Sequence, residues 1–331
     1  MRICVIGAGA LGATFGGLLA RQGHEVTLVD PWREHVAAIR ESGLRLDGIP
    51  GDVLARPHAA TTPEGVNGQD LAFVATDANN TGHAAEAAAT VLAPDGMALT
   101  VQNGIGNIER MTAVLGRERV IGGSTMSSFR TNAPGWITMT HAGPTTIGEL
   151  DGVETPRLHA LRDALGAAGF ETLVSPDILS VIWSKFLLNL AINPICAATF
   201  LRMGEFARLE ATDQFQDRLL DEAFAVIRAK GLKLDLDGLR TKIKAHSWAK
   251  YSKPSMLQHM ELGRKTEIDA LNGALVREGA ALGVPTPFNE ALTMLVKGCE
   301  VYHARRVAGT VLDEPALEAE AAAVPRPAAR A

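Results

Sequence analysis

The sequence predicts an α/β fold: a doubly wound parallel sheet with added strands, followed by an all-helical C-terminal domain. Three observations carry this. Short β-branched runs alternate with Ala- and Leu-rich stretches through residues 1–175. A glycine-rich turn, GAGALG, joins the first run to the first helical stretch. From Asp177 onward the β-branched runs give way to long stretches with apolar residues at helical spacing.

Residues 2–6 (RICVI) read as a short buried strand, 10–22 as a helix ended by Gly23, and 25–30 (EVTLVD) as a second strand. Between them Gly7, Gly9 and Gly12 have the spacing GxGxxG. In this strand–turn–helix–strand setting the motif marks a Rossmann-type dinucleotide site. Gly7 permits the tight turn, Gly9 admits a pyrophosphate close to the backbone, and Gly12 lets the helix approach the strand. The N–H groups of Ala10, Leu11 and Gly12 and the helix dipole favour phosphate. Asp30 closes the unit, where a ribose is gripped.

The alternation continues with strands at 70–76 and 97–103 and helices at 78–92 and about 106–115. Segments 119–129, 135–141 and 144–150 read as strands in hairpin-like succession. A helix at 156–168 and a strand at 171–175 close the domain. Helices are then expected at 177–191, 205–230, 237–248, 255–282 and 288–306, with Pro194 bending or ending the first of them. The domains are therefore 1–175 and 176–310. The tail, 311–331, is rich in Ala, Glu and Pro without an apolar period and reads as disordered.

The 331 residues suit two domains. A net charge of −5 provides no electrostatic case for nucleic acid or an anionic membrane as partner. No uncharged apolar stretch reaches about 18 residues, so no membrane span is expected. Cys4, Cys196 and Cys299 are far apart and read as small buried residues in a reducing, cytoplasmic setting. The nine histidines show no metal-ligand spacing, and no metal is expected.

Three stretches carry candidate chemistry. In VQNGIGN, Asn103 ends a strand, where its amide suits a nicotinamide and a substrate oxygen; read alone, it is equally a turn asparagine. In WSKFLLNLAINPICA, Lys185, Asn189 and Asn193 fall at i, i+4 and i+8 on one face of an apolar helix. A lysine there can act as general acid to a carbonyl and attract the charge that develops on its oxygen; a surface lysine lying along the helix edge is the plainer alternative. In SMLQHMELGRKTEID, Ser255 and Glu267 share one expected helix. Glu267 is placed to orient Lys185, and Ser255 to bind a carboxylate; alone, this stretch reads as a solvated charged helix.

Together, GAGALG, QNGIGN (102–107), WSKFLLNLAINP (183–194) and SMLQHMELGRKTEID (255–269) resemble the ketopantoate reductases, or 2-dehydropantoate 2-reductases, a family of two-domain NADP-dependent reductases. The resemblance covers roughly residues 1–305. It implies that Lys185 is the proton donor and that Asn103 contacts cofactor and substrate. It also implies that Asn189, Asn193 and Ser255 bind substrate and that Glu267 lies at the cofactor and the lysine. The implied cofactor is NADP, but two departures lean towards NAD. Where family members usually place an arginine after the second strand, this chain has Asp30-Pro31, with Arg33 nearby as a substitute. A carboxylate beside a 2′-phosphate is repulsive by about 4 kcal/mol at about 4 Å and an effective dielectric of about 20. Where the family tends to carry a lysine after the third strand of the unit, this chain has Asp77. The family's third substrate asparagine, beyond Asn193, has no clear counterpart here.

The expected activity is hydride transfer from NAD(P)H to the carbonyl of a small 2-oxo acid, by default ketopantoate to pantoate on the route to pantothenate. The alternatives are an NAD-dependent dehydrogenase of another hydroxy acid on the same fold, and a dinucleotide sensor without turnover. A homodimer formed through the helical domain is compatible with the sequence.

Overall fold

A computed structural model of the chain describes residues 1–310 and 313–323. Strand β1 (Arg2–Ile6), helix α1 (Ala10–Arg21) and strand β2 (Glu25–Val29) form the opening unit, with the two strands parallel. There follow α2 (Arg33–Ser42), β3 (Leu44–Gly48), β4 (Val53–Ala55), β5 (His58–Ala60), β6 (Gln69–Val74) and α3 (Thr81–Val91). The domain continues with β7 (Leu92–Thr100), α4 (Asn107–Leu115), β8 (Val120–Thr125), β9 (Ser128–Ala133) and β10 (Trp136–His141). It ends with β11 (Thr145–Glu149), α5 (Pro156–Ala167) and β12 (Thr172–Val174).

Eight strands form the main sheet in the order β12-β11-β8-β7-β6-β1-β2-β5. Every neighbouring pair is parallel except β11 with β8. The chain leaves β1 towards β2 and later returns to β6 on its other side. This topological switch opens a crevice at the carboxyl ends of β1 and β6, the position where open α/β sheets bind ligands.

A second sheet, β4-β3-β10-β9, goes beyond the sequence prediction, which assigns no element to residues 31–69. The segment read as one strand at 119–129 divides between the sheets: β8 stays in the first and β9 enters the second. Helix α1 lies between them. A Cβ on Gly16 would stand 2.5 Å from Leu28 of the main sheet, and one on Gly17 would stand 2.7 Å from Leu44 of the second. Two adjacent glycines therefore let one helix approach both sheets. Phe15 joins the same core, stacked on Phe170 with ring centroids 3.9 Å apart.

The helical part comprises α6 (Ile178–Thr199), α7 (Met203–Phe206), α8 (Glu210–Lys230), α9 (Leu236–Ala249), α10 (Ser255–Glu261), α11 (Asn272–Leu282) and α12 (Pro287–Val307). Helix α6 is long and apolar enough, with a hydropathy of 1.5, to cross a membrane on length and composition alone. It is instead the central helix of this domain's core, where Trp183, Phe186, Leu187 and Leu190 share one cluster with residues of α8, α10 and α12.

Three expectations are corrected here. Pro194 does not end α6, which runs on to Thr199. Proline lacks the N–H that would bond the carbonyl of residue i−4, and Asn272 Nδ2 reaches that carbonyl, Leu190 O, at 3.4 Å. The expected helix over 255–282 is broken. α10 stops at Glu261, Gly263 takes φ +64°, and a short 3₁₀ turn at Ile268–Ala270 precedes α11. The tail contains a solvent-exposed helix, α13 (Glu314–Ala323), rather than being disordered throughout. Ala, Glu and Leu have high intrinsic helix propensity without needing a core-facing stripe. The remainder of that expectation, at 311–312 and 324–331, lies outside the described residues.

Candidate active site

The opening turn is shaped for close approach. Gly7 has φ +93°, and a Cβ there would lie 2.5 Å from the Thr76 nitrogen. A Cβ on Gly12 would lie 2.0 Å from the Gly7 carbonyl oxygen. Gly9, the N-cap of α1, faces open space, with nothing within 4 Å of its missing Cβ. Two glycines are thus demanded by packing, and the third leaves the helix N-terminus bare towards the crevice. Such a cradle fits a pyrophosphate, held by the unsatisfied N–H groups of Ala10, Leu11 and Gly12. Asp30 follows β2, and its Oδ1 accepts the Trp32 N–H at 2.9 Å. That bond fixes one carboxylate oxygen at the edge of the crevice, and the second has no hydrogen bond among the described residues.

At the carboxyl end of β7 a polar network holds the QNGIGN loop. Gln102 Nε2 donates to the Thr76 carbonyl at 2.7 Å, and Thr100 Oγ1 donates to Gln102 Oε1 at 2.9 Å. Asn107 Nδ2 donates to the Asn103 carbonyl at 2.9 Å, and the Ile105 N–H reaches across to Ala270 O at 3.2 Å. The Asn103 carbonyl is therefore held within its own loop, and the loop is tied to the helical domain at Ile105. Its side-chain amide donates to Glu267 Oε2 at 3.3 Å.

Lys185 projects from α6 into the same region. Its Nζ donates to the carbonyl of Thr125, the last residue of β8, at 2.6 Å. The residue is half-buried as a whole, but its ammonium end is enclosed. Desolvation pulls it down from the ordinary lysine value of 10.5 to about 8, an effect the negative field of Glu267 partly opposes. Desolvation also raises the Glu267 carboxyl above its ordinary range. The Asn103 hydrogen bond opposes this, nearby Asp77 adds to it, and the Ala78 N–H and Lys185 oppose it. A lysine pulled down and a carboxyl pushed up, coupled to one another through space, fit the electrostatic pattern in which proton-transfer sites are found.

The structure thus brings Lys185, Asn103 and Glu267 together from α6, the β7 end and the 3₁₀ turn. Two features differ from expectation. Glu267 and Ser255 do not share a helix, since Glu267 caps the 3₁₀ turn after the break at Gly263. Lys185 is held by the Thr125 carbonyl, and it makes no ion pair with Glu267 within 4.0 Å; their coupling acts through space. Asn189 and Asn193 lie on Lys185's side of α6, one and two turns on, and among the described residues neither side-chain amide has a hydrogen-bond partner. Ser255 is the exposed first residue of α10, which packs against α6. Thr125 escaped the sequence reading because its contribution is a backbone oxygen, which no residue type advertises. Gln102 and Asn107 were visible as polar residues flanking Asn103, but their partners come from distant segments.

A phosphate cradle at the topological switch, facing an enclosed lysine and carboxyl from a helical domain, defines a two-domain nicotinamide-dependent oxidoreductase. Family comparison makes this specific. Residues 3–152 match the model of ketopantoate reductase PanE/ApbA, and residues 177–300 match that of its C-terminal domain. The chain belongs to the ketopantoate reductase family. It is 33% identical to the 2-dehydropantoate 2-reductase of Pyrococcus abyssi over 309 residues, covering 92% of this chain and all of that one. Among solved structures, a PanE/ApbA family ketopantoate reductase from Ralstonia eutropha is 32% identical with a TM-score of 0.85, covering 92% and 99% of the two chains. A D-mandelate dehydrogenase solved with NADH and anilino(oxo)acetate is 28% identical with a TM-score of 0.83, at the same coverage.

Proposed function

We propose that this protein reduces the carbonyl of a 2-oxo acid to the alcohol, with ketopantoate, the substrate its relatives are named for, as the reference. The observation that carries this reading is the enclosed Lys185 ammonium, held at the carboxyl edge of the sheet beside the Asn103–Glu267 pair. The nicotinamide cofactor, when bound, supplies the hydride to the carbonyl carbon. Lys185 gives its proton to the carbonyl oxygen as negative charge develops there. Thr125 O keeps the ammonium aimed before reaction. Glu267 tunes it through space and fixes the Asn103 amide, while Asn189, Asn193 and Ser255 offer donors to the carboxylate end of the substrate.

The cofactor reading is NAD(H). Asp30, pinned by the Trp32 N–H, favours a free ribose hydroxyl over a 2′-phosphate, and a charge-assisted hydrogen bond of this kind contributes about 1.5–3 kcal/mol. A second reading, a dehydrogenase of a different 2-hydroxy acid, draws on the D-mandelate dehydrogenase of the same fold. Rates measured side by side with NADH and NADPH on ketopantoate and on aryl and branched 2-oxo acids test all three points. The expected result is turnover with NADH faster than with NADPH. No carbonyl-dependent oxidation of either cofactor would overturn the reductase reading.

The same helical domain presents a surface suited to a second copy. Phe288, Met294, Leu295, Val301 and Tyr302 line one face of α12 and are 42–63% exposed. An antiparallel pairing of two such helices about Gly298 sets Met294 against Tyr302 and Leu295 against Val301, and brings Glu290 opposite Arg306 of the partner subunit. Sedimentation equilibrium should show a dimer that Leu295→Glu converts to a monomer; a monomeric parent protein would refute the pairing.

A further inference from the structure

A cavity of about 370 Å³ lies between strands β8 and β11 of the main sheet, α6 and α9, and Lys185 forms part of its wall. None of Asn103, Asn189, Asn193, Ser255 and Glu267 lines it. Its walls are mostly apolar: Met126 from the sheet side, Val181 and Leu188 from α6, and Leu239 and Ile243 from α9. Lys242, which is solvent-exposed, and half-buried His246 stand on the α9 side. The volume falls within the range of ligand pockets, about 300–1,000 Å³. A methyl or dimethyl substituent would leave most of it empty.

Helical periodicity relates this cavity to the proposed catalytic groups. Relative to Lys185, Val181 is at i−4 and Leu188 at i+3, so both lie on one flank of the lysine. Asn189 and Asn193, at i+4 and i+8, lie on the other. A carbonyl docked on Lys185 therefore has an amide-bearing wall on one side and an apolar recess on the other. The carboxylate of a 2-oxo acid matches the first, and the substituent on the far side of the carbonyl matches the second.

We propose that this recess is the side-chain subsite of the enzyme, selecting 2-oxo acids whose substituent is an aryl ring or a long branched alkyl group. Leu239 and Val181 are its gauges, one on each helical wall. The inference rests on the reductase reading and narrows its substrate class.

The test is steady-state kcat/KM with the full-length protein and its preferred nicotinamide cofactor on four acids: 2-oxobutyrate, ketopantoate, phenylglyoxylate and 2-oxoglutarate. Phenylglyoxylate is expected to exceed 2-oxobutyrate by about tenfold or more, the scale on which pocket filling discriminates substrates. Leu239→Trp, which fills the recess from α9, is expected to lower the phenylglyoxylate value about tenfold while leaving 2-oxobutyrate nearly unchanged. Val181→Phe fills it from the opposite wall and reads the same ratio if the tryptophan variant does not fold. Preference for 2-oxobutyrate or ketopantoate over phenylglyoxylate, or equal losses on small and aryl acids in folded variants, would overturn the inference while leaving the reductase intact. A preference for 2-oxoglutarate would also overturn it, assigning the recess to a second carboxylate read by Lys242. Absence of turnover with every acid would instead remove the reductase reading, and the inference with it.

Discussion

The opening unit β1–α1–β2 and the corner formed by Lys185 of α6 and Glu267 of the 3₁₀ turn hold the two halves of the proposed site by different means. In the first, the working groups are backbone. Gly7 and Gly12 are required because a side chain would collide with Thr76 or with the turn itself, and bare N–H groups face the crevice. The groups that face the crevice all lie within about thirty consecutive residues, although the fit of Gly7 also depends on Thr76. In the second, the working groups are side chains whose state depends on remote neighbours. Lys185 is aimed by a carbonyl sixty positions away, and Glu267 is hydrogen-bonded to an amide 164 positions away. A local unit tolerates change elsewhere but not within itself; the assembled corner fails when any of its contributors moves.

The largest expected effect separates the two. Lys185→Ala should lower kcat by about 10²–10⁴-fold, the usual contribution of a positioned general acid. Cofactor affinity, followed by NADH fluorescence, should stay unchanged. If affinity collapses as well, the two halves are not independent.

The converse is Gly12→Val, which forces side-chain atoms towards the Gly7 carbonyl. Overpacking of this kind costs about 1–3 kcal/mol. It should appear as a lower thermal midpoint and weaker cofactor binding, with the pH dependence of the residual activity unaltered.

Asn272→Leu examines the support beneath the corner. The Leu190 carbonyl freed by Pro194 would lose its donor, as would Asn289 Oδ1, which Asn272 Nδ2 reaches at 2.9 Å. An unsatisfied buried acceptor costs about 1–3 kcal/mol, measurable by denaturant titration. An unchanged stability would mean that α6 carries its proline without help.

The smallest effect is the most diagnostic. Lys185 must be protonated to donate, so carbonyl reduction should be full at lower pH and decline as pH rises through about 8. Oxidation of the alcohol, which needs the free amine, should gain over the same interval. The Glu267 field supports the ammonium form, so Glu267→Gln should move the alkaline limb to lower pH. A limb that does not move would show that the pair is uncoupled.

The difference between the two regions also explains what could be read in advance. GAGALG between two β-branched runs announced its turn, helix and ligand class. The i, i+4, i+8 placement of Lys185, Asn189 and Asn193 was equally plain, because a helix imposes that face wherever it packs. Residues 31–69 are not legible, since β3, β4 and β5 are short and since β3 and β5 pair with strands β10 and β2 elsewhere in the chain. The break after α10 was missed because a helical apolar pattern persists across Gly263, and only tertiary packing decides that the chain turns there. Pro194 reads as an end or bend because the residue that compensates for it lies 78 positions later in the chain.

By itself, then, the sequence determined the elements whose interactions are local: the glycine turn, the helix stripes and the succession of parallel strands. Tertiary structure alone decided that Lys185 points at Thr125 O, that Glu267 reaches it by field rather than contact, and that an apolar recess opens on the lysine's other flank. Such features depend on desolvation and on separations between segments far apart in the chain. These quantities exist only once the chain has closed around them.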